Sequence, residues 1–463
     1  MRTLTFSGAA GQVTGSCHVL EWNGRHVLLD CGLYQGDAAT EAWNERPFPV
    51  PPDTVDAVVL SHAHLDHSGL LPRLVRDGFR HGIFATRATA DLLQIMLRDA
   101  AHLQEREAEW ARRHRDRRSA EPLYRQTDVD TTLTRITPVS YREWFDVVPG
   151  VRCRYRDAGH ILGSAIVEVD LADGADRRRL VFSGDLGNRA SPLLRDPELP
   201  ERAELLLLES TYGDRDHRPM AETLDELETV LAGAADNGGN VLIPSFAVGR
   251  SQEILFRLGE LYQAGRLKQQ MVFLDSPMAI AATRVYDGYQ RLYNSRDRAE
   301  IREAHAGSLA EWLPPLRYSH TPEDSMAINR IAGGAIVIAG SGMCNGGRIR
   351  HHLRHNLQHR ATRVVIVGFQ ARGTPGRALV DGARSLCLFG EEVPVNASIH
   401  TLGGFSAHAG QTGLVEWASA IEGRPSIHLV HGEPDRLSAL AAKLRERTGR
   451  MPGIAERGQV IAL

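Results

Sequence analysis

Lysine is almost missing from this 463-residue chain, occurring only at Lys268 and Lys443, so arginine carries nearly all of the positive charge. Arginine that is abundant everywhere reflects composition and is weak ground for phosphate recognition. With 54 basic and 57 acidic residues the formal net charge is -3, which excludes polyanion binding through overall charge; any basic surface must be local. Cysteine is sparse as well. Cys17, Cys31, Cys153, Cys344 and Cys387 are scattered, odd in number and contain no C-x-x-C pair, which argues against a thiolate metal site or a redox motif and predicts reduced, structural thiols. No apolar run approaches the length of a bilayer span. The start Met-Arg-Thr-Leu-Thr-Phe lacks the apolar stretch and cleavage site of a secretory signal, so the expected location is the cytoplasm. Low-complexity segments are absent too. The 42% hydrophobic and 24% charged content fits a globular protein, and the length exceeds one ordinary core, which predicts two domains.

What is present is one repeated grammar: a short β-branched or Leu-rich run that reads as a buried strand, ending in an ionisable residue followed by small ones. It occurs at Val27-Leu28-Leu29-Asp30, Val58-Val59-Leu60-Ser61-His62, Leu180-Val181-Phe182-Ser183-Gly184-Asp185, Leu205 through Leu208 before Glu209, and Ile427-His428-Leu429-Val430-His431. Strands buried on both faces require helices outside them. From about Thr211 to Val395 the pattern becomes strand, small-residue turn and helix, in four βα units beginning near Val241, Met271, Ala335 and Val364. This predicts a second, mostly parallel α/β domain. It is inserted, because metal-type residues precede it while His408 and His431 follow it. Residues 99–125, dense in Arg, Glu and His, read as a charged helix or hairpin with a solvated face; an RNA-touching flap is the lesser reading.

The strongest local signal is His62-Ala63-His64-Leu65-Asp66-His67, directly after a strand and before Ser68-Gly69. His62 and His64 project to one side of an extended segment while Asp66 and His67 follow in the turn, so one stretch can serve two metal ions. A structural explanation is poor, since it would crowd several polar groups without partners.

This H-x-H-x-D-H stretch after the strand-terminal Asp30 resembles the metallo-β-lactamase superfamily. His160 in Asp157-Ala158-Gly159-His160 and Asp185 in Ser183-Gly184-Asp185 match its third and fourth motifs, whereas Glu209, His408 and His431 resemble the additional motifs of the β-CASP nucleases. The resemblance spans essentially the whole chain. It implies a four-layer αββα metallo-β-lactamase domain from residues 1–210 and 395–463, with an inserted α/β parallel-sheet β-CASP cap at 211–394.

By that resemblance, one zinc takes His62, His64 and His160, the other takes Asp66, His67 and His431, and Asp185 bridges them. Two Zn²⁺ per chain are thus expected, with Mn²⁺ or iron suited to the same imidazole and carboxylate donors. Asp30 is left a supporting role, orienting a ligand imidazole or the water, and Asp66 counts among the catalytic residues. His408 is the expected general acid, kept protonated by Glu209. His428 lies within an apolar strand and reads as a packed core histidine. In the inserted domain the Gly-rich turns at Gly340-Ser341-Gly342 and Ala371 through Arg377 suggest phosphate contacts from Ser341, Arg372, Thr374 and Arg377.

The expected activity is zinc-dependent hydrolysis of phosphodiester bonds in single-stranded RNA, as an endonuclease and also, as an alternative mode, a 5′-exonuclease. A histidine at the last motif, here His431, goes with RNA-cutting members of the family, while several DNA-processing members carry an apolar residue there. The rivals are a DNA nuclease of the same family, a small-molecule ester or thioester metallohydrolase, and an inactive scaffold, which would have lost ligands. A membrane partner is not expected, and a homodimer stays open.

Overall fold

In a computed structural model that describes residues 2–113 and 121–463, the chain divides into two compact units. The first gathers the residues up to Ser191, Arg195–Asp216 and His408–Leu463; the second gathers Pro192–Leu194 and His217–Ala407.

The first unit contains two seven-stranded sheets. One runs in the order Val460–Ala462, Arg2–Phe6, His18–Trp22, Arg25–Leu29, Val55–Val59, Gly82–Thr86, Ile136–Val139; the other runs Gly453–Ile454, Ser426–Leu429, Leu205–Leu208, Asp176–Phe182, Ala165–Asp173, Val151–Asp157, Trp144–Val148. Strand side chains alternate between faces, so each sheet offers two surfaces to cover. Leu4, Phe6, Leu20, Trp22, Val27 and Leu29 of the first sheet meet Val151, Cys153, Tyr155, Val167, Leu180 and Leu207 of the second in one buried core. On the far side of the second sheet, Ile166, Val181, Leu206, Leu208 and Leu429 pack against Leu414 and Trp417 of helix Gln411–Ala420 and Leu437, Leu440 and Leu444 of helix Pro434–Thr448. Helix Arg87–Arg113 lies against Gly82–Thr86 and Ile136–Val139 of the first sheet. The layers are therefore αββα.

That last helix accounts for much of the charged segment. Its buried Leu92, Leu93, Met96, Leu97, Ala100 and Ala101 recur at helical spacing, which leaves Arg98, Glu109 and Arg113 on the solvated side. Residues 114–120 of the segment lie outside the described residues, and helix Gln126–Leu133 follows.

The second unit holds a six-stranded, wholly parallel sheet in the order Leu316–Tyr318, Met271–Leu274, Ala335–Ala339, Val241–Pro244, Arg363–Ile366, Ser398–Thr401. Its strands are near-continuous hydrophobic runs because both faces are covered. Val241 and Ile243 face Leu227, Leu231, Ile254 and Leu258, whereas Leu242 faces Ile349, Leu353 and Leu357. A hairpin of Ser385–Leu388 with Glu391–Pro394 completes it. At the carboxyl edge, fully buried Asp275 accepts bonds from His352 Nε2 (2.6 Å), Ser325 Oγ (2.6 Å) and Arg348 Nη1 (2.7 Å), tying the turn after Met271–Leu274 to helix Ile349–Asn356.

The second unit runs from His217 to Ala407, with Pro192–Leu194 added. Ser398–Thr401 belongs to it because the strand pairs in parallel with Arg363–Ile366. Pro192–Leu194 joins it through Leu193, whose N–H donates to Asp297 Oδ2 (2.7 Å) and whose carbonyl accepts from Asn294 N (2.9 Å). Among the described residues, no helix is long and apolar enough to cross a membrane.

Candidate active site

Neighbouring parallel strands deliver the ionisable residues to one edge of each sheet. In the second sheet Asp176–Phe182 pairs in parallel with Leu205–Leu208, which pairs in parallel with Ser426–Leu429. The residues just past their carboxyl ends, Asp185, Glu209 and His431, consequently emerge side by side. In the first sheet Arg25–Leu29 and Val55–Val59 are parallel neighbours, which sets Asp30 beside Ser61 and His62. Antiparallel pairing would send adjacent carboxyl ends to opposite edges.

Two clusters of metal-type donors form there. In the first, His62 Nε2 lies 3.2 Å and His160 Nε2 3.1 Å from His64 Nδ1, while Asp185 Oδ2 stands 3.5 Å from His62 Nε2 and 3.6 Å from His160 Nε2. In the second, His67 Nε2 and His431 Nε2 are 3.1 Å apart, and Asp66 Oδ2 is 3.9 Å from the former and 3.5 Å from the latter. Asp185 faces both clusters. Its Oδ1 lies 3.3 Å from His67 Nε2 and 3.5 Å from His431 Nδ1, buried and without a hydrogen bond.

The surrounding backbone is built around this arrangement. Asp66 sits in the one-turn helix Leu65–Ser68, and its carbonyl accepts from Ser16 N at 2.8 Å. Gly32 passes so close that a Cβ there would fall 1.7 Å from the same carbonyl oxygen, which is why this position must be glycine. Asp30 is fully buried: its Oδ1 accepts from Ser61 N (2.7 Å), and its Oδ2 from His67 Nδ1 (2.6 Å), Ser61 Oγ (2.9 Å) and Ser16 Oγ (3.0 Å). The bond to Nδ1 leaves Nε2 of His67 turned into the cluster. Thr211 Oγ1 similarly lies 3.0 Å from His431 Nδ1, and Ser61 Oγ 3.1 Å from His62 Nδ1.

Beside the clusters, His408 Nδ1 pairs with Glu209 Oε1 at 3.1 Å and stands 4.0 Å from Asp185 Oδ2. Glu209 is fully buried and pinned by Leu186 N on Oε1 (2.8 Å) and Thr211 N on Oε2 (3.1 Å). Burial opposes protonation of His408, but Glu209 and then Asp185 outweigh it and bring its pKa up to about 9.

The donor set suits metal ions. Burial works against charge on His67, yet Asp185, Asp30 and Asp66 hold its pKa well above the usual histidine range; burial also works against ionisation of Asp185, and His431 and His67 hold that carboxyl well below the carboxylate range. The carboxylates therefore favour positive charge at the second cluster, whereas burial holds His62 and His64 below the usual histidine range. Together with the unbonded Asp185 Oδ1 and all-imidazole-and-carboxylate donors, this fits hard-to-borderline divalent cations. Thiols take no part: burial pushes nearby Cys17 up to about 12, so it stays protonated.

The chain matches three family descriptions: the metallo-beta-lactamase superfamily over residues 10–233, the Beta-Casp domain over 251–379, and a Zn-dependent metallo-hydrolase RNA specificity domain over 392–454. It is 43% identical to a ribonuclease of Thermus thermophilus across 99% of both chains. The chain belongs to the β-CASP family of metallo-β-lactamase-fold hydrolases. This β-CASP chain is also 30% identical to a transcription termination factor of Pyrococcus abyssi, over 96% of itself and 69% of that protein, and 30% identical to an RNase J-like protein of Methanocaldococcus jannaschii, over 94% and 93%. A protein of unknown function from Enterococcus faecalis, 12% identical, shares the fold with a TM-score of 0.56 over the full length of both.

The two Gly-rich turns of the β-CASP unit lie against each other, Gly376 N donating to Met343 O (3.1 Å) and Gln370 Nε2 to Gly342 O (2.9 Å). Thr374 caps helix Pro375–Val380, accepting from Arg377 N at 3.3 Å, and Arg377 Nε pairs with Asp381 at 2.9 Å. Ser341 braces its own turn, donating to Asn345 Oδ1 (2.7 Å) and accepting from Gly346 N (3.1 Å). Arg372 is exposed. In the first unit, His428 stacks on Phe6 at 5.4 Å, away from the clusters. Sequence reasoning overlooked Ser16, Ser61 and Thr211. Ser61 sits directly before the histidine run and Thr211 two residues after Glu209, and those positions were the available signal.

Proposed function

We propose that this chain is a two-zinc ribonuclease that hydrolyses phosphodiester bonds of single-stranded RNA. The observation that carries this reading is the single buried carboxylate, Asp185, facing two clusters of donors while the His408–Glu209 pair stands beside it. His62, His64 and His160 would hold one ion, Asp66, His67 and His431 the other, and Asp185 both. When bound, such a pair supplies an activated water and neutralises charge developing on the phosphoryl group.

The chain's own residues do the rest. Asp30 and Ser61 fix the rings of His67 and His62 through the nitrogens that face away from the clusters, and Thr211 holds the His431 ring at Nδ1. His408 carries a proton at neutral pH and gives it from Nε2 to the departing sugar oxygen, a poor leaving group as an oxyanion. Glu209 keeps Nδ1–H bonded throughout and stabilises the imidazolium. RNA as the substrate is supported by the RNA specificity match and by the ribonuclease relative that aligns end to end.

The test is cleavage of an end-labelled single-stranded RNA and a matched DNA, with and without added zinc, beside Asp66→Ala. Metal-dependent cutting of RNA, lost in the variant, is the expected result, and the product ladder separates internal from 5′-terminal attack. A protein that binds zinc but leaves RNA intact while cutting DNA or a thioester overturns the substrate.

A further inference from the structure

The first unit carries a second feature that the metal chemistry does not use. A groove of about 800 Å³ opens between the end of helix Gln411–Ala420, the start of strand Ser426–Leu429, and the end of helix Pro434–Thr448. Arg424, Arg447 and Arg450 line it, and no acidic residue does. Among the described residues, none of the three guanidinium groups is in an ion pair. On the flanking helices, Glu446 pairs with Lys443 (2.9 Å) and Glu416 with Arg189 (3.0 Å).

The contrast with arginines elsewhere on the same sheet is informative. On the strands Val151–Asp157 and Asp176–Phe182, Arg152 and Arg179 pair with Asp170, and Arg154 and Arg156 pair with Glu168, so each of these four guanidinium groups has a carboxylate partner. At the groove the charge is left open. A helix C-terminus attracts cations, which accounts for Arg447 in the last turn of Pro434–Thr448. It does not account for Arg424 and Arg450, which lie in loops. Arg424 moreover holds a φ of 50°, a backbone conformation disfavoured for any residue with a Cβ, and Arg450 Nη1 anchors that turn by donating to its carbonyl at 2.8 Å.

Two further facts point to the occupant. Every residue lining the groove falls within 392–454, the segment that matches the RNA specificity description. The strand that begins at the groove with Ser426 leads directly to His431, so the two ends are about 16 Å apart, five residues at ~3.3 Å each. We propose that this groove is an accessory binding site for the sugar–phosphate backbone of the RNA strand, remote from the metal clusters. The proposal rests on the ribonuclease reading above. Three unneutralised guanidinium groups recognise consecutive phosphates without regard to base, which gives affinity and salt dependence without sequence preference.

The test compares the wild-type holoenzyme with the triple variant Arg424→Gln, Arg447→Gln, Arg450→Gln, and with Arg445→Gln as a control on the same last turn but outside the groove. Each is assayed for kcat/KM on a trinucleotide and on a long single strand over a range of salt. The triple variant should raise KM for the long strand by at least about tenfold and flatten its log–log salt slope by about 2, three contacts at ~0.7 each. The trinucleotide and the control variant should be unchanged. Equal losses on both substrates, or no loss on either, overturn the accessory site. If the wild-type protein leaves RNA uncut, the ribonuclease reading falls by itself. The groove is then tested by fluorescence anisotropy of the intact strand, where identical salt slopes for wild type and triple variant overturn it.

Discussion

Replacing Glu209 by Gln isolates the charge that holds the His408 proton. The substitution keeps the shape of the buried side chain and one oxygen to accept from Leu186 N, gives up the acceptor that Thr211 N uses, and removes the largest influence raising His408. The rise from the ordinary 6.5 to about 9 corresponds to about 3 kcal/mol in favour of imidazolium, at ~1.4 kcal/mol per pH unit. Asp185 contributes to it too, but as a residue facing both metal clusters it would be neutralised there, leaving Glu209 as the main support. The sign is fixed by the role: a general acid must be protonated, so kcat is flat below its pKa and declines above it. With zinc neutralising Asp185, the wild-type alkaline limb should lie above the ordinary histidine value but below the about 9 that Glu209 and Asp185 reach together. In Glu209→Gln that descending limb should move down by about two pH units, towards the ordinary histidine value, so that rates measured at pH 8 drop roughly tenfold or more while rates at pH 6 change least. The assay is a pH–rate profile of RNA cleavage at saturating zinc, with zinc content checked in each preparation. A variant whose alkaline limb stays where the wild type has it refutes the assignment of His408 as the acid.

Asp185→Asn removes the one carboxylate that faces both clusters, and should lower bound zinc from two ions per chain towards none; elemental analysis reads this directly, and retention of both ions would remove the bridging role. Asp30→Ala leaves every proposed ligand in place but frees the His67 ring, so zinc affinity or activity should decline by about 10- to 100-fold in a chelator competition, and an unchanged affinity would mean the His67 ring needs no such support. Gly32→Ala drives a Cβ into the Asp66 carbonyl and should cut both thermal stability and zinc binding; a variant with wild-type melting and metal content would show that the loop can yield. In the second unit, Asp275→Ala strands Arg348 and His352 without their buried counter-charge, and a loss of about 3–5 kcal/mol is expected in denaturant unfolding.

How much of this was legible in the sequence depended on distance along the chain. The run His62 to His67 announces itself because strand alternation and a tight turn place four donors within six residues. The βα repeats of the inserted unit were equally readable, since parallel strands covered on both faces are continuous apolar runs such as Val241-Leu242-Ile243. His160, Asp185, Glu209, His408 and His431 were found through family resemblance; nothing in their own neighbourhoods distinguishes a ligand from a turn-forming aspartate or a packed histidine.

Tertiary structure alone decided the rest. That Asp185, Glu209 and His431 meet is a property of strand order, because three parallel neighbours drawn from distant parts of the chain end on the same edge. That Thr374 caps a helix, Arg377 pairs with Asp381, and Ser341 braces its own turn, while Arg424, Arg447 and Arg450 are in no ion pair among the described residues, depends on which partners the fold brings within hydrogen-bonding reach. A sequence specifies the charge each side chain carries; only the folded chain settles whether that charge is already satisfied or left open to a ligand.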